Sequence, residues 1–407
     1  MMKTLKRCAL LALAAVVLLA CNRTEYDNAP YRRVFLMYAA AFSNLSPSIA
    51  EDVKELCEGD IPSVGSGDIL LVYSHHTRGS YSIPTNPVLF RVFHDVDGKQ
   101  CRDTITVYPD TDVSSTPEVL HKVLSEVKEI FPARSYGLVF SSHARGWLPV
   151  NYEDKSSGSD IWTFDAPRRM PAYPETKWLG IEHPQETSGI DIRDLADAIP
   201  MKLDFFLMDA CLMGCVEVAY ELRNTCHYLV FSPTEILSNG FMYDSMAAHL
   251  MNVKDPEIQQ ICQEYFEYYN SLSGLYRSAT ITMVDCTKTD ALADVCAGII
   301  AAHRDSFYAA DRDDIQHYFY QNGSNTYPWF YDLRDVFAKA GATDAELERL
   351  DAALAGCIVY SAATPKFFDL ALENVCGMSM YYPYPDKKEL NDYYKTLSWN
   401  KATGLIQ

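Results

Sequence analysis

The sequence is short of basic residues. Among its 407 residues, 35 are Lys or Arg and 54 are Asp or Glu, which gives a formal net charge of -19 at pH 7. Because nucleic-acid phosphates are bound by clustered Lys and Arg, this balance predicts that nucleic acid is not a partner. A peptide or protein substrate with basic residues suits an acidic chain better. The sequence also lacks a phosphate-binding loop, a dinucleotide fingerprint and internal repeats, which excludes the classes built on them.

The sequence also lacks the dense cysteine framework of a small disulfide-stapled domain. Its 12 cysteines are scattered through apolar segments of a long chain. We expect most of them to be small buried side chains, and the spacing does not specify any disulfide pairing.

Long apolar runs are absent except at the N-terminus. Residues 1–7 carry three positive charges and residues 8–20 are apolar, which is too short for a membrane span and typical of a signal peptide over 1–20. The run ends in Leu-Ala-Cys21, which resembles the lipobox of bacterial lipoproteins. This resemblance implies lipid attachment at Cys21, a tether over 21–30, and an exported protein held at a membrane, on the periplasmic face or the cell surface. An ordinary signal peptide with a chance Cys is the alternative.

Apolar runs alternate with segments of helical period along most of the chain. We predict buried strands at 34–39, 69–73, 88–93, 136–142, 203–208, 228–231, 279–284 and 378–382. We predict helices at 190–199, 212–222, 256–272, 289–307, 333–340 and 344–360, and one from Pro117 with Thr116 as its N-cap. This alternation predicts an α/β fold with a mostly parallel sheet flanked by helices. We assign 31–254 to the core and 255–407 to a helix-rich C-terminal region packed on it.

Two of the predicted strands end in residues that can carry chemistry. The strand at 136–142 leads into His143, and the strand at 203–208 leads into Asp209, Ala210 and Cys211. Ligands of open α/β sheets bind beyond the carboxyl ends of the strands. We therefore expect His143 and Cys211 to face each other across one crevice if the two strands are neighbours. Because side chains alternate along a strand, Asp209 and Cys211 point to the same side.

A Cys and a His in this arrangement can perform nucleophilic catalysis. We expect a helix that starts directly after Cys211, together with the His143 imidazolium, to lower the pKa of the Cys211 thiol. His143 would protonate a leaving amine, and the backbone amides of Cys211 and Ala144 would donate to an oxyanion. Two alternatives stay open: a Cys that only packs in the core, and a zinc site of Cys211, Cys215 and His227, whose spacing is not the usual pair-and-pair.

Both segments resemble the clostripain-like cysteine peptidases. SHARGW at 142–147 resembles the His-Gly-x-Gly-Trp segment of that family, and DACLMG at 209–214 closely resembles its Asp-Ala-Cys-Leu-Met-Gly segment. Weaker similarities extend over most of 31–407. The resemblance implies a caspase-like fold with its catalytic core in 31–254, and endopeptidase activity by a dyad of Cys211 and His143. It also implies that Asp209 lines a pocket for the Arg or Lys before the scissile bond.

The resemblance carries two further expectations. Some members of the family mature by cutting an internal loop. The stretch 156–184, rich in Pro and Gly and containing several basic residues, is the loop in which we expect such a cut. Calcium is often required in the family, although the chemistry itself needs no cofactor.

The sequence departs from the family pattern beside the His. Ala144 replaces a Gly that usually follows it, but Ala keeps the backbone amide. Arg145 stands where a small residue is usual, and it could either crowd the cleft or bind a substrate carboxylate. The segment after the first strand, 39–45, lacks an Asp usual in the family, which puts metal binding there in doubt. These departures support the alternative of a catalytically silent surface lipoprotein that binds peptide or protein ligands.

Overall fold

The computed structural model describes residues 29–41, 45–78, 83–150, 152, 174–177, 189–318 and 328–407. The predicted signal peptide, Cys21 and most of the tether lie outside these residues, as does most of the loop at 156–184. Among the described residues, no helix has the length and apolar character needed to cross a membrane.

A central ten-stranded sheet organises the chain. Its strands run in the order β11-β9-β8-β7-β6-β1-β2-β4-β5, with β3 paired to β2. Their bounds are β1 Tyr31–Ala41, β2 Asp68–Arg78, β3 Ile83–Pro84, β4 Val88–His94, β5 Gln100–Val107, β6 Ala133–Ser141, β7 Leu203–Asp209, β8 Cys226–Phe231, β9 Thr280–Asp285 and β11 Ile358–Ala363. Short pairs form from β10 Tyr331–Asp332 with β14 Ser379–Met380, and from β12 Lys366–Phe367 with β13 Leu370–Ala371.

The centre of the sheet is parallel and its edges are antiparallel. Strands β2, β1, β6, β7 and β8 pair in parallel, and β4, β5, β9 and β11 add antiparallel partners outside them. The parallel strands are the continuous apolar runs of the sequence, because helices cover both of their faces. The predicted α/β fold with a mostly parallel sheet is confirmed.

Eleven helices occur among the described residues. They are α1 Ser46–Glu58, α2 Pro117–Ile130, α3 Ile192–Ala198, α4 Val216–Glu221, α5 Tyr243–Leu250, α6 Ile258–Ser271, α7 Thr289–Ala302, α8 Leu333–Lys339, α9 Asp344–Cys357, α10 Lys388–Tyr394 and α11 Ser398–Thr403. The predicted start of α2 is confirmed, since Thr116 caps it and its side chain accepts from the Val119 amide. Helices α1 and α5 pack together, and α2, α3 and α4 form a second group.

Several predicted boundaries are wrong. The segment 344–360 is not helical to its end, because α9 stops at Cys357 and the chain continues as β11. The stretch 378–382 forms only a two-residue strand outside the central sheet. Strand β5 was not predicted, since an edge strand that is mostly exposed needs no apolar run. The region 255–407, expected as a packed extension, supplies β9 and β11 to the sheet itself.

Candidate active site

The ends of β6 and β7 bring the predicted dyad to one edge of the sheet. These strands are parallel neighbours, with Ser141 opposite Asp209 in the register. His143 therefore follows β6 by two residues and Cys211 follows β7 by two residues, at the same carboxyl edge. The condition for the two residues to share one crevice, that their strands are neighbours, is met. His143 is half-buried and Cys211 is fully buried.

The turn after Cys211 differs from the prediction. Leu212 has φ of 61°, a left-handed conformation that is uncommon for a residue with a branched side chain. The Leu212 amide donates to the Thr234 carbonyl at 2.9 Å, and the Gly214 amide donates to the Ser232 carbonyl at 2.8 Å. Helix α4 begins only at Val216. Cys211 thus lies in a turn that is fixed to the segment after β8, rather than at the start of a helix.

The Cys211 thiol is held by the backbone of Ile236. The Ile236 amide donates to Cys211 Sγ at 3.2 Å, and Sγ donates to the Ile236 carbonyl oxygen at 3.7 Å. Burial raises the pKa of Cys211 well above its usual value, Glu235 raises it further, and the Ile236 amide only partly opposes them. The expected lowering of this pKa is therefore wrong for the described form, in which the thiol is protonated.

The turn after His143 packs onto the turn after Cys211. Gly146 has φ of 60°, and a Cβ at that position would lie 2.6 Å from the Leu212 carbonyl oxygen. The next residue, Trp147, is fully buried, with ring centroids 4.6 Å from Tyr381 and 5.0 Å from Tyr394. Aromatic residues of the C-terminal region therefore fix the His143 turn. Sequence reasoning missed this role of the region after 255.

Asp209 lies in a closed pocket on one face of the sheet. Its side chain is fully buried. Its Oδ2 accepts hydrogen bonds from the Ser141 hydroxyl at 3.0 Å, from the Tyr243 hydroxyl of α5 at 2.7 Å, and from the ammonium of Lys177. A buried carboxylate is stable only with such partners.

Lys177 fills this pocket. Its side chain is 0% exposed, and its Nζ donates to Asp52 Oδ2 of α1 at 2.9 Å, to Ser141 Oγ at 3.0 Å and to Asp209 Oδ2. Burial lowers the pKa of Lys177, but the charges of Asp209 and Asp52 outweigh burial and leave this pKa raised. Burial also raises the pKa of Asp52 to about 7; the Lys177 ammonium lowers this pKa and the charge of Asp209 raises it. The ammonium is therefore charged in the pocket.

The backbone around Lys177 pairs like a strand. The Lys177 amide donates to the Ile236 carbonyl at 2.7 Å, and the Ser238 amide donates to the Glu175 carbonyl at 2.8 Å. Thr176 and Leu237 form an antiparallel bridge between them. The Lys177 carbonyl oxygen lies 2.8 Å from His143 Nδ1. Residues 174–177 thus lie along the crevice as an added strand, with the Lys177 carbonyl beside the predicted acid/base.

A separate apolar cavity opens on the other face of the sheet. It has a volume of about 100 Å³, and His143, Ala144 and Arg145 lie along it. Alternate residues of β7 and the following turn, Phe206, Met208 and Ala210, line it with residues of α3. Arg145 therefore lies beside the His turn, away from the pocket that holds Asp209.

Sequence reasoning missed Asp52, although a signal was available. Asp52 shares the buried face of α1 with Ile49 and Leu56, at the spacing of an apolar helical stripe. A carboxylate in such a stripe is rarely buried without a partner. The pairing of Lys177 with it could not be foreseen, because residues 52 and 177 are far apart in sequence.

The zinc alternative has no support in the described residues. Cys215 is buried at the N-terminus of α4, whereas His227 stacks on Tyr228 at the sheet surface. Within the described ranges, no three His, Cys, Asp or Glu side chains form a group that could hold a metal ion. Calcium dependence stays a prediction.

Comparisons with known proteins show what the chain as a whole is similar to. The profile of the clostripain family matches residues 37–403. Clostripain of Hathewaya histolytica is 25% identical in an alignment of 230 residues, which covers 52% of this chain but only 40% of clostripain. The chain resembles an inactive zymogen C11 protease from Parabacteroides distasonis with a TM-score of 0.74 and 27% identity, over 92% of this chain and 98% of that one.

A second solved structure supports the fold. A secreted C11 cysteine protease from Bacteroides thetaiotaomicron, in complex with an irreversible peptide inhibitor, has a TM-score of 0.72 and 23% identity, over 92% of this chain and 100% of that one. The predicted caspase-like α/β fold is thereby confirmed.

Proposed function

The chain belongs to the clostripain family, and on this basis we propose that it is a cysteine-type endopeptidase that cleaves peptide bonds after basic residues. Cys211 is the nucleophile, His143 is the general acid and base, and Asp209 binds the basic side chain before the scissile bond. The observation that carries the specificity is Lys177, whose ammonium lies on Asp209 while residues 174–177 lie in the crevice as an extended strand.

The chemistry follows from the two strand ends. His143 takes the proton of the Cys211 thiol, and the thiolate attacks the carbonyl carbon of the substrate. Backbone amides of Cys211 and Ala144 donate to the oxyanion. His143 then gives its proton to the leaving amine, which breaks the C–N bond and leaves an acyl-enzyme. Water attacks the thioester while His143 takes one of its protons; the C–S bond then breaks, His143 returns the proton to Cys211 Sγ, and the carboxylic acid product leaves.

The described form is an inactive precursor in this proposal. Residues 174–177 block the crevice, and the raised pKa of Cys211 keeps the thiol protonated. Cleavage after Lys177, within the loop at 156–184, would free the pocket for substrates. The structural similarity to a protein described as an inactive zymogen supports this view.

Arg145 and the apolar cavity are the proposed binding site for the part of the substrate that follows the scissile bond. The cavity begins at His143, which contacts the Lys177 carbonyl oxygen. The residues of a substrate beyond the scissile bond would leave the crevice there, beside Arg145. We assign Arg145 to binding a carboxylate on that part of the substrate, since it lies away from the Asp209 pocket. Lipid attachment at Cys21 and export complete the proposal, and the chemistry itself needs no cofactor.

The experiment is hydrolysis of fluorogenic peptides that differ only in a final Lys, Arg, Ala or Asp, with and without calcium. We expect cleavage after the basic residues alone, abolished by Cys211→Ala. Asp209→Asn should remove the preference for basic residues. The matched control is Asp204→Asn, because Asp204 is an exposed acid on the same strand, and it should behave as wild type. No cleavage of any peptide, either by the intact protein or by protein cut in the loop at 156–184, would support the silent binding lipoprotein instead.

A further inference from the structure

We propose that Asp52, on helix α1, is a specificity-determining residue that makes the pocket select Lys over Arg before the scissile bond. This inference rests on the proposed function and deepens it. Asp209 alone would account for binding of either basic side chain. Selection between Lys and Arg depends on the second carboxylate, Asp52, and on how both acids contact the cation.

The pocket offers one oxygen to each N–H of an ammonium group. A Lys ammonium has three donors and no acceptor. Lys177 Nζ has three oxygen partners: Asp52 Oδ2 at 2.9 Å, Ser141 Oγ at 3.0 Å and Asp209 Oδ2. They come from α1, β6 and β7, so three separate elements converge on one point charge. This is the coordination that a compact ammonium requires.

Each acid holds the ammonium of Lys177 through one oxygen. Arg pairs best when both oxygens of one carboxylate accept from its planar fork. Lys177 Nζ instead donates to one oxygen of Asp209, Oδ2, which also accepts from Ser141 and Tyr243. Asp52 likewise contacts the cation through Oδ2 alone. Among the described residues, Asp209 Oδ1 is buried and accepts no hydrogen bond, so neither acid holds the ammonium through both of its oxygens.

The end of the pocket has no room for a longer side chain. In an Arg side chain the central guanidinium carbon takes the position of Lys Nζ, and two nitrogens extend about 1.3 Å beyond it. Two oxygens already lie 2.9 and 3.0 Å from Nζ. The backbone closes the remaining side, because a Cβ on Gly240 would lie 2.8 Å from Lys177 Nζ and 2.7 Å from Asp209 Oδ2.

Asp52 cannot easily move away to admit Arg. Helix α1 ends against α5, where a Cβ on Gly59 would lie 2.5 Å from the Asp244 carbonyl oxygen. The same helix α5 carries Tyr243, which donates to Asp209. Withdrawal of Asp52 would therefore require displacement of two packed helices that both contact the pocket.

The test compares kcat/KM for two fluorogenic peptides that are identical except for a final Lys or Arg. In the wild type we expect Lys to be preferred by roughly tenfold or more, because Arg leaves buried polar groups misaligned. Asp52→Asn should reduce that ratio to near one, mainly through weaker cleavage after Lys. Glu51→Gln is the matched control, since Glu51 is an exposed acid on the same helix, and it should keep the wild-type ratio.

A second variant covers the case in which Asp52→Asn does not fold. Ser141→Ala removes another of the three oxygen partners without removing a charge, and it should lower the Lys-to-Arg ratio as well. A further readout is self-cleavage, which should be slower in Lys177→Arg than in the wild type.

The outcomes separate this inference from the proposed function. If the wild type cleaves neither peptide, both intact and after it has been cut in the loop at 156–184, the proposed function fails and this inference fails with it. If it cleaves both and prefers Arg, or if Asp52→Asn lowers both activities equally without changing the ratio, the assignment of Asp52 is overturned while the peptidase stands.

Discussion

Replacement of Lys177 by Met should destabilise the precursor in a way that depends on pH. Lys177 joins two buried carboxylates, Asp52 and Asp209. A Met side chain fills a similar volume without charge, so the two acids would face each other with no cation. Removal of one partner from a buried ion pair costs about 3–5 kcal/mol. At the ~2 °C per kcal/mol of the larger domains, the melting temperature should fall by roughly 6 °C or more.

The sign of the pH dependence follows from the two acids. In the unfolded chain both carboxyl groups lose their protons near pH 4. In the folded precursor burial raises the pKa of Asp52 to about 7, and loss of the Lys177 charge would raise it further. The folded variant therefore holds protons that the unfolded chain has released. The loss of stability should be small at pH 5 and reach its full value near pH 8.

The assay is thermal unfolding at pH 5 and pH 8 in a Cys211→Ala background, which prevents self-cleavage. Lys54→Met is the matched control, because Lys54 pairs only with the exposed Glu51 on the helix surface. It should change the melting temperature by little at either pH. An equal melting temperature for Lys177→Met and its parent at pH 8 would refute the placement of Lys177 on the two acids.

Three further predictions concern the pocket and its surroundings. Gly240→Ala should lower kcat/KM for Lys peptides at least tenfold by placing a Cβ against the bound ammonium, whereas Gly298→Ala, where a Cβ meets no neighbour, should not. Burial raises the pKa of Asp52 to about 7, with Lys177 opposing and Asp209 and Glu55 adding. Once Lys177 has left the pocket, the pKa of Asp52 is higher than this, so KM for Lys peptides should fall as the pH rises from 7 to 9 and stay level in Asp52→Asn. Arg145→Ala should weaken cleavage of internally quenched peptides with Glu after the scissile bond more than of those with Ala. Equal losses for both peptides would contradict its assignment.

The strands that carry the dyad could be predicted from the sequence because their burial produces a pattern within a few consecutive residues. Strands β6 and β7 are buried on both faces, so they are continuous apolar runs that end at the edge where the chemistry begins. The ends of these runs were therefore enough to predict that His143 and Cys211 lie at that edge. The prediction of a helix directly after Cys211 was wrong, because the left-handed Leu212 and its hydrogen bond to Thr234 replace the expected first helical turn.

The pocket partners of Asp209 could not be predicted, because they come from distant parts of the chain. Asp52 lies on α1, Lys177 lies in a loop without periodicity, and their contact depends on the added strand at 174–177. Local patterns record which face of a helix is buried, but they do not record what lies opposite that face. The role of Trp147 in fixing the His143 turn against C-terminal tyrosines is long-range for the same reason.

The central claim is that Cys211 attacks a peptide carbonyl after a basic residue. The most direct measurement takes protein that has been cut in the loop at 156–184, treats it with a peptide that ends in Lys and carries a thiol-reactive group, and then identifies the modified residue by mass spectrometry. The account predicts one adduct on Cys211 that disappears when the final Lys is replaced by Ala, and that is lost in Asp209→Asn. Modification of another cysteine, or of Cys211 regardless of the final residue, would contradict it.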